Sequence, residues 1–85
     1  METFDATYDQ IFQRLGAKAA KDFDNETLRI LKLLSTSPYM FKESVFDSNI
    51  RKGLVKKISA FFYEVRADYI EILFFWDNRQ EPMGF

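Results

Sequence analysis

The sequence predicts an α+β domain: an N-terminal helical hairpin packed on a three-stranded antiparallel sheet. Three observations carry that prediction. Apolar residues recur at helical spacing through the first 36 positions, Gly16 and the run Ser35-Thr36-Ser37-Pro38 punctuate them, and from position 50 short β-branched and aromatic runs take over. At 85 residues the chain is one domain, 1–85, since a domain commonly takes roughly 100 to 200 residues.

The first helix is expected over 4–15. Phe4, Tyr8, Ile11, Phe12 and Leu15 fall on one stripe of a 3.6-residue repeat. Thr3 or Asp5 is placed to cap its start, and Gly16 to end it in a left-handed conformation that other residues adopt at a cost. The second helix is expected over 17–36, with Ala20, Phe23, Thr27, Ile30, Leu31 and Leu34 on its apolar stripe. Pro38 disfavours helix at Ser37 and fixes the boundary. Asp24-Asn25-Glu26 offers a second reading in which this helix is split in two. Joined by so short a link, the two helices pack as an antiparallel hairpin that leaves apolar surface to be covered.

A polar connection over 42–49 leads to strands expected at 50–56, 58–66 and 69–77. Ala67-Asp68 is short enough for a tight turn between the last two. Strict alternation on the final strand sets Ile70, Ile72, Phe74 and Trp76 on one face and Glu71, Leu73, Phe75 and Asp77 on the other. Both faces are apolar toward its end, which suits a central strand or one covered by a partner. Residues 79–85 read as an extended tail, and the chain has no internal repeat.

Composition removes many function classes. Hydrophobic residues make up 47% of the chain and aromatics 18%, enough to build a core and too much for disorder. Twelve basic against thirteen acidic residues give a net charge of -1, and the pI is about 5.3. Such a balance gives no global attraction to nucleic acid or anionic membrane. With no Cys and no His there is no disulfide, thiolate nucleophile, zinc-thiolate site, imidazole base or common nitrogen ligand for a metal. No cofactor or metal is expected, Gly16, Gly53 and Gly84 form no phosphate-cradling loop, and no nucleotide fingerprint is present. The acidic start lacks the features of a signal peptide, and the longest uncharged stretch, 33–41, is too short to span a membrane. A cytoplasmic protein without a membrane partner is the expectation.

The one charge asymmetry is Arg51, Lys52, Lys56 and Lys57, four cations within seven residues. On a continuous strand Lys52 and Lys56 point to one face, and Arg51 and Lys57 to the other. Read plainly, they are solvated charges guarding an exposed edge strand. Read functionally, they contact phosphate or RNA, with Phe61, Phe62, Tyr63 and Trp76 as stacking neighbours or as core. Asp77 with Glu81, and Glu64 with Glu71 across the hairpin, are the candidate carboxylate pairs, and nothing marks either as proton-sharing.

The ordered set of these pieces resembles a known family. A helical hairpin, the turn Ser37-Pro38-Tyr39, then Ile50-Arg51-Lys52, Phe62-Tyr63-Glu64-Val65, Ile70-Glu71-Ile72-Leu73 and the closing Trp76-Asp77-Asn78-Arg79-Gln80-Glu81-Pro82 are similar to the RelE/ParE toxins of type II toxin–antitoxin systems, also called plasmid stabilisation proteins. The resemblance covers residues 5–82. It implies a small cytoplasmic α+β protein that inhibits growth when free and is held inactive by a cognate antitoxin. RelE-like members cut mRNA on the ribosome with scattered basic residues, whereas ParE-like members bind DNA gyrase.

Carried over residue by residue, the nuclease set would be Arg51, Lys52, Lys57 or Lys56, and Arg79, cations able to neutralise a phosphorane-like transition state. The arginine expected early in the tyrosine strand is replaced by Ser59 or Ala60, and no Tyr or His follows Arg79. With the acidic pI, this favours a ParE-like binder over an endoribonuclease. A third reading is an inactive, shortened homologue that binds antitoxin only. Family members usually begin with a strand, and here only Met1-Glu2-Thr3 precede the helical pattern. Either the native start lies upstream or the sheet has an open edge, to be covered by a homodimer or by a strand from a partner.

Overall fold

The computed structural model of the chain describes residues 2–45 and 47–78. Helices α1 (Glu2–Leu15) and α2 (Ala17–Thr36) are followed by strands β1 (Arg51–Val55), β2 (Ser59–Val65) and β3 (Ile70–Asp77). The strands form one antiparallel sheet in the order β1-β2-β3, and the helical hairpin packs on it through a single core. The α+β arrangement read from the sequence is therefore the observed one.

A single residue links the helices. The Gly16 N–H donates to the Phe12 carbonyl at 3.0 Å, closing α1, while its own carbonyl accepts from the Ala20 N–H at 3.2 Å, opening α2. Its φ of 94° and ψ of 175° differ from the left-handed helical conformation expected there. They lie in an extended region with positive φ that is open essentially to glycine alone. Helix α2 runs unbroken through Asp24-Asn25-Glu26, so the split reading does not hold. Its stripe of Ala20, Phe23, Thr27, Ile30 and Leu34 is buried as the spacing requires, with the Thr27 hydroxyl donating to the Phe23 carbonyl at 2.8 Å. On α1 the shielded residues are Thr7 and Ile11, whereas Phe12 and Leu15 are 45% and 53% exposed, because α1 turns its Thr7–Ile11 stripe inward.

Phe75 is the joint between layers. Its ring lies 5.2 Å from Phe4 of α1 and 6.4 Å from Phe23 of α2, both edge-on, and 5.5 Å from Phe61 of β2. Burial of these large rings supplies most of the folding drive for so short a chain. Strand β2 is central, with Ser59, Ala60, Phe61, Phe62 and Tyr63 all buried. Among the described residues β3 lies at the edge of the sheet, so the central-strand reading does not hold there.

Three further expectations change. First, strict alternation on β3 fails. Phe62 pairs with Phe74, but Tyr63 pairs with Ile72, so Leu73 is an extra residue in a bulge. Ile70 and Ile72 consequently share the helix-facing side with Phe75, while Phe74 stacks on Phe62 at 4.7 Å on the opposite side. Second, Lys56 and Lys57 are not strand residues. They form the tip between β1 and β2 with φ of 52° and 64°, and the Ile58 N–H closes the turn on the Val55 carbonyl at 3.2 Å. Two positive φ values match the twist of a tight hairpin. Third, the outer edge of β1 is not bare. The polar connection folds back along it, with Glu43 bridged to Arg51, the Lys52 N–H donating to the Lys42 carbonyl and the Ser44 N–H to the Ile50 carbonyl.

Candidate functional site

Arg51 is part-buried and engaged by its neighbours. Its guanidinium donates to the Phe41 carbonyl at 2.8 Å, lies 3.6 Å from the Glu43 carboxylate and sits 4.8 Å over the Tyr39 ring. These contacts fasten the chain after Pro38 onto the start of β1. Tyr63, paired with Arg51 across the sheet, completes the fastening by donating its hydroxyl to the Pro38 carbonyl at 2.9 Å. Burial pushes the Tyr63 phenol above its usual range, opposed in part by the Phe41 backbone and the Arg51 charge.

The other cations diverge from Arg51. Lys52 follows it on β1 and projects to the opposite face. Lys57 occupies the exposed hairpin tip; at ~3.3 Å per residue the length of β1 puts it more than about 13 Å from Arg51. Lys56 is its neighbour in the same turn. Arg79 and Glu81 lie outside the described residues. The cations Arg51, Lys52 and Lys57 thus share a segment but not a site.

Glu64 and Glu71 do pair directly across β2 and β3. Between them sits Arg66, which donates twice to Glu71 at 2.9 and 3.1 Å and lies 3.4 Å from Glu64. These carboxylates hold Arg66 above its ordinary range. A cation placed in this way offsets one of the two negative charges and leaves the pair with a net charge of about -1. Among the described residues no group of three or more His, Cys, Asp or Glu is placed to hold a metal ion.

A concavity not foreseen from the periodicity lies between the end of α2 and the β2–β3 hairpin. It encloses about 600 Å³. Leu31, Leu34, Val65, Ile70 and Ile72 make its apolar floor, and Tyr39 and Tyr69 stand on its rim, 65% and 62% exposed. Mostly apolar walls with a few polar groups at the margin are what a binding groove presents. The signal was dispersed: its walls come from α2, from the turn after Pro38 and from the β2–β3 hairpin, with the whole of β1 between the second and the third.

Among the described residues no helix is long and apolar enough to cross a membrane. Compared with models of known protein families the chain matches none, and compared with curated proteins it matches none.

Proposed function

We propose that this chain is a type II toxin of the ParE-like kind, which inhibits growth by binding a macromolecular target and is neutralised by a cognate antitoxin. The reading rests on the resemblance carried by residues 5–82 and is supported by a fold of the implied kind, a helical hairpin on an antiparallel sheet. The observation that favours binding over cutting is the position of Arg51. A ribonuclease of this kind needs several cations converging on one phosphate. Here Arg51 is engaged by Phe41, Glu43 and Tyr39, while Lys52 and Lys57 point elsewhere. DNA gyrase is the target the resemblance implies, and the cytoplasm is where such a target lies.

The test is induction of the chain alone in a bacterial host, followed by pulse incorporation of labelled amino acid and labelled thymidine. The proposal expects growth arrest with a fall in DNA synthesis and cell elongation, relieved by coexpressed antitoxin. An immediate fall in protein synthesis would favour the ribonuclease reading, and unchanged growth would favour the inactive homologue.

A further inference from the structure

The two edges of the sheet are treated differently. The outer edge of β1 is paired by the 42–44 segment. Among the described residues no strand pairs with the outer edge of β3, and near its end the Phe75 N–H donates to the Thr3 hydroxyl at 2.9 Å. Near the other end the register fixes which backbone groups face outward. The Arg66 N–H donates to the Tyr69 carbonyl at 2.8 Å, so these two form a hydrogen-bonded pair. Hydrogen-bonded and non-bonded pairs alternate along an antiparallel ladder. Ile70, opposite Val65, and Ile72, opposite Tyr63, are therefore in non-bonded pairs and turn their N–H and C=O groups away from β2. Their side chains line the groove described above. An unpaired strand edge beside an apolar groove is a template for one more strand.

Charge selects the occupant. Residues 64–72 carry three acids, Glu64, Asp68 and Glu71, against one base, Arg66. If a second copy of this chain paired antiparallel through the same groups, Glu71 would face Glu71 across the new ladder, and like charges directly opposite destabilise a sheet. We infer that the β3 edge at Ile70–Ile72 accepts an extended peptide with apolar side chains directed into the groove and a basic side chain opposite Glu71. This inference uses the edge and the groove alone, and stands or falls independently of the toxin reading.

The probe is an acetylated, amidated decapeptide of alternating valine and lysine, titrated into the isotopically labelled full chain and followed by NMR. The expected result is saturable shifts at 70–72, with slowed hydrogen exchange of the Ile70 and Ile72 amides. A peptide with glutamate in place of lysine binds at least tenfold more weakly, and in the Glu71→Lys variant that order reverses. N-methylating the peptide backbone on its bonding edge removes the shifts. The inference is overturned if residues 70–72 do not respond, if the N-methylated peptide binds equally well, or if Glu71→Lys leaves the preference unchanged. It is overturned equally if the free chain sediments as a dimer with those amides already protected, since a second copy would then hold the edge.

Discussion

Thr3 and Phe75 are 72 residues apart in the chain, and the hydroxyl of the first accepts the backbone N–H of the second at 2.9 Å. The first turn of α1 thereby supplies to β3 a hydrogen-bond acceptor that a further strand would otherwise provide. Thr3→Val keeps the shape and removes the acceptor. Leaving a part-buried N–H without a partner costs about 1 to 3 kcal/mol, so the variant is expected to unfold at lower urea concentration. Exchange of the Phe75 amide should accelerate with it. Unchanged exchange there would show that the hydroxyl is not the acceptor.

Gly16 separates backbone strain from crowding. A Cβ there meets no atom within 4 Å, yet φ is 94°. Gly16→Ala is expected to destabilise by about 1 to 3 kcal/mol through the backbone alone. A D-alanine placed at the same position by chemical synthesis adopts the mirror-image conformation without strain. It should match or exceed the native stability, by about 0.4 to 1 kcal/mol, through a less flexible unfolded chain. Equal losses for the two enantiomers in thermal unfolding would contradict the assignment.

Gly53 presents the opposite case. It pairs with Phe61 across the sheet, and a Cβ on it would overlap the Phe61 ring. Because Phe61 is fully buried against Phe41, Tyr63 and Phe75, the ring has nowhere to move. Gly53→Ala is expected to cost about 1 to 3 kcal/mol by overpacking, measured by denaturant unfolding. The double variant Gly53→Ala with Phe61→Leu should lose less than the sum of the two single changes.

The hairpin tip should be improvable. Lys56 and Lys57 hold positive φ values that favour Asn-Gly in such a turn. Replacing them as Lys56→Asn with Lys57→Gly relieves roughly 1 kcal/mol or more of backbone strain. In a domain of this size that raises the melting temperature by about 4 to 8 °C per kcal/mol. A lower melting temperature would mean that the lysine side chains contribute more to folding than the turn geometry does.

Tyr63 predicts a pH dependence. An unfolded tyrosine loses its proton near pH ~10, whereas burial holds the folded phenol protonated to higher pH. The folded state then binds more protons than the unfolded one above pH ~10, so stability falls as pH rises. Below the unfolded value the contribution is fully present. Tyr63→Phe is expected to cost about 1 kcal/mol at neutral pH, by losing the hydrogen bond to the Pro38 carbonyl. Its unfolding free energy should decline less steeply than that of the wild type in alkaline solution, as chemical denaturation across that range will show.

The helices were the legible part of this sequence. A 3.6-residue repeat over 20 positions fixes a face whatever the rest of the fold does, and Ala20, Phe23, Thr27, Ile30 and Leu34 obey it. Strand β3 was legible as a strand but not in its facing. From Ile72 to Trp76 every residue is apolar, so no polar position marked the extra residue at Leu73. The lysine pair at the hairpin tip carried no turn signal, since neither residue favours positive φ. Arg51 was visible as a cation, but its role depends on Tyr39, Phe41 and Glu43, which lie between the turn at Pro38 and the start of the polar connection, where no periodicity assigns a partner. The groove was hidden for the same reason: it exists only where α2, the turn after Pro38 and the β2–β3 hairpin meet.

The proposal that the chain acts by binding rather than by cutting is tested most directly by growth arrest in the double variant Lys52→Ala with Lys57→Ala, compared with the wild type at equal expression. Both lysines can be removed without touching the contacts that hold Arg51, so the melting temperature should be nearly unchanged. The prediction is that wild type and variant arrest growth equally. Arrest by the wild type that disappears in a folded variant would contradict it and place these lysines at a catalytic phosphate.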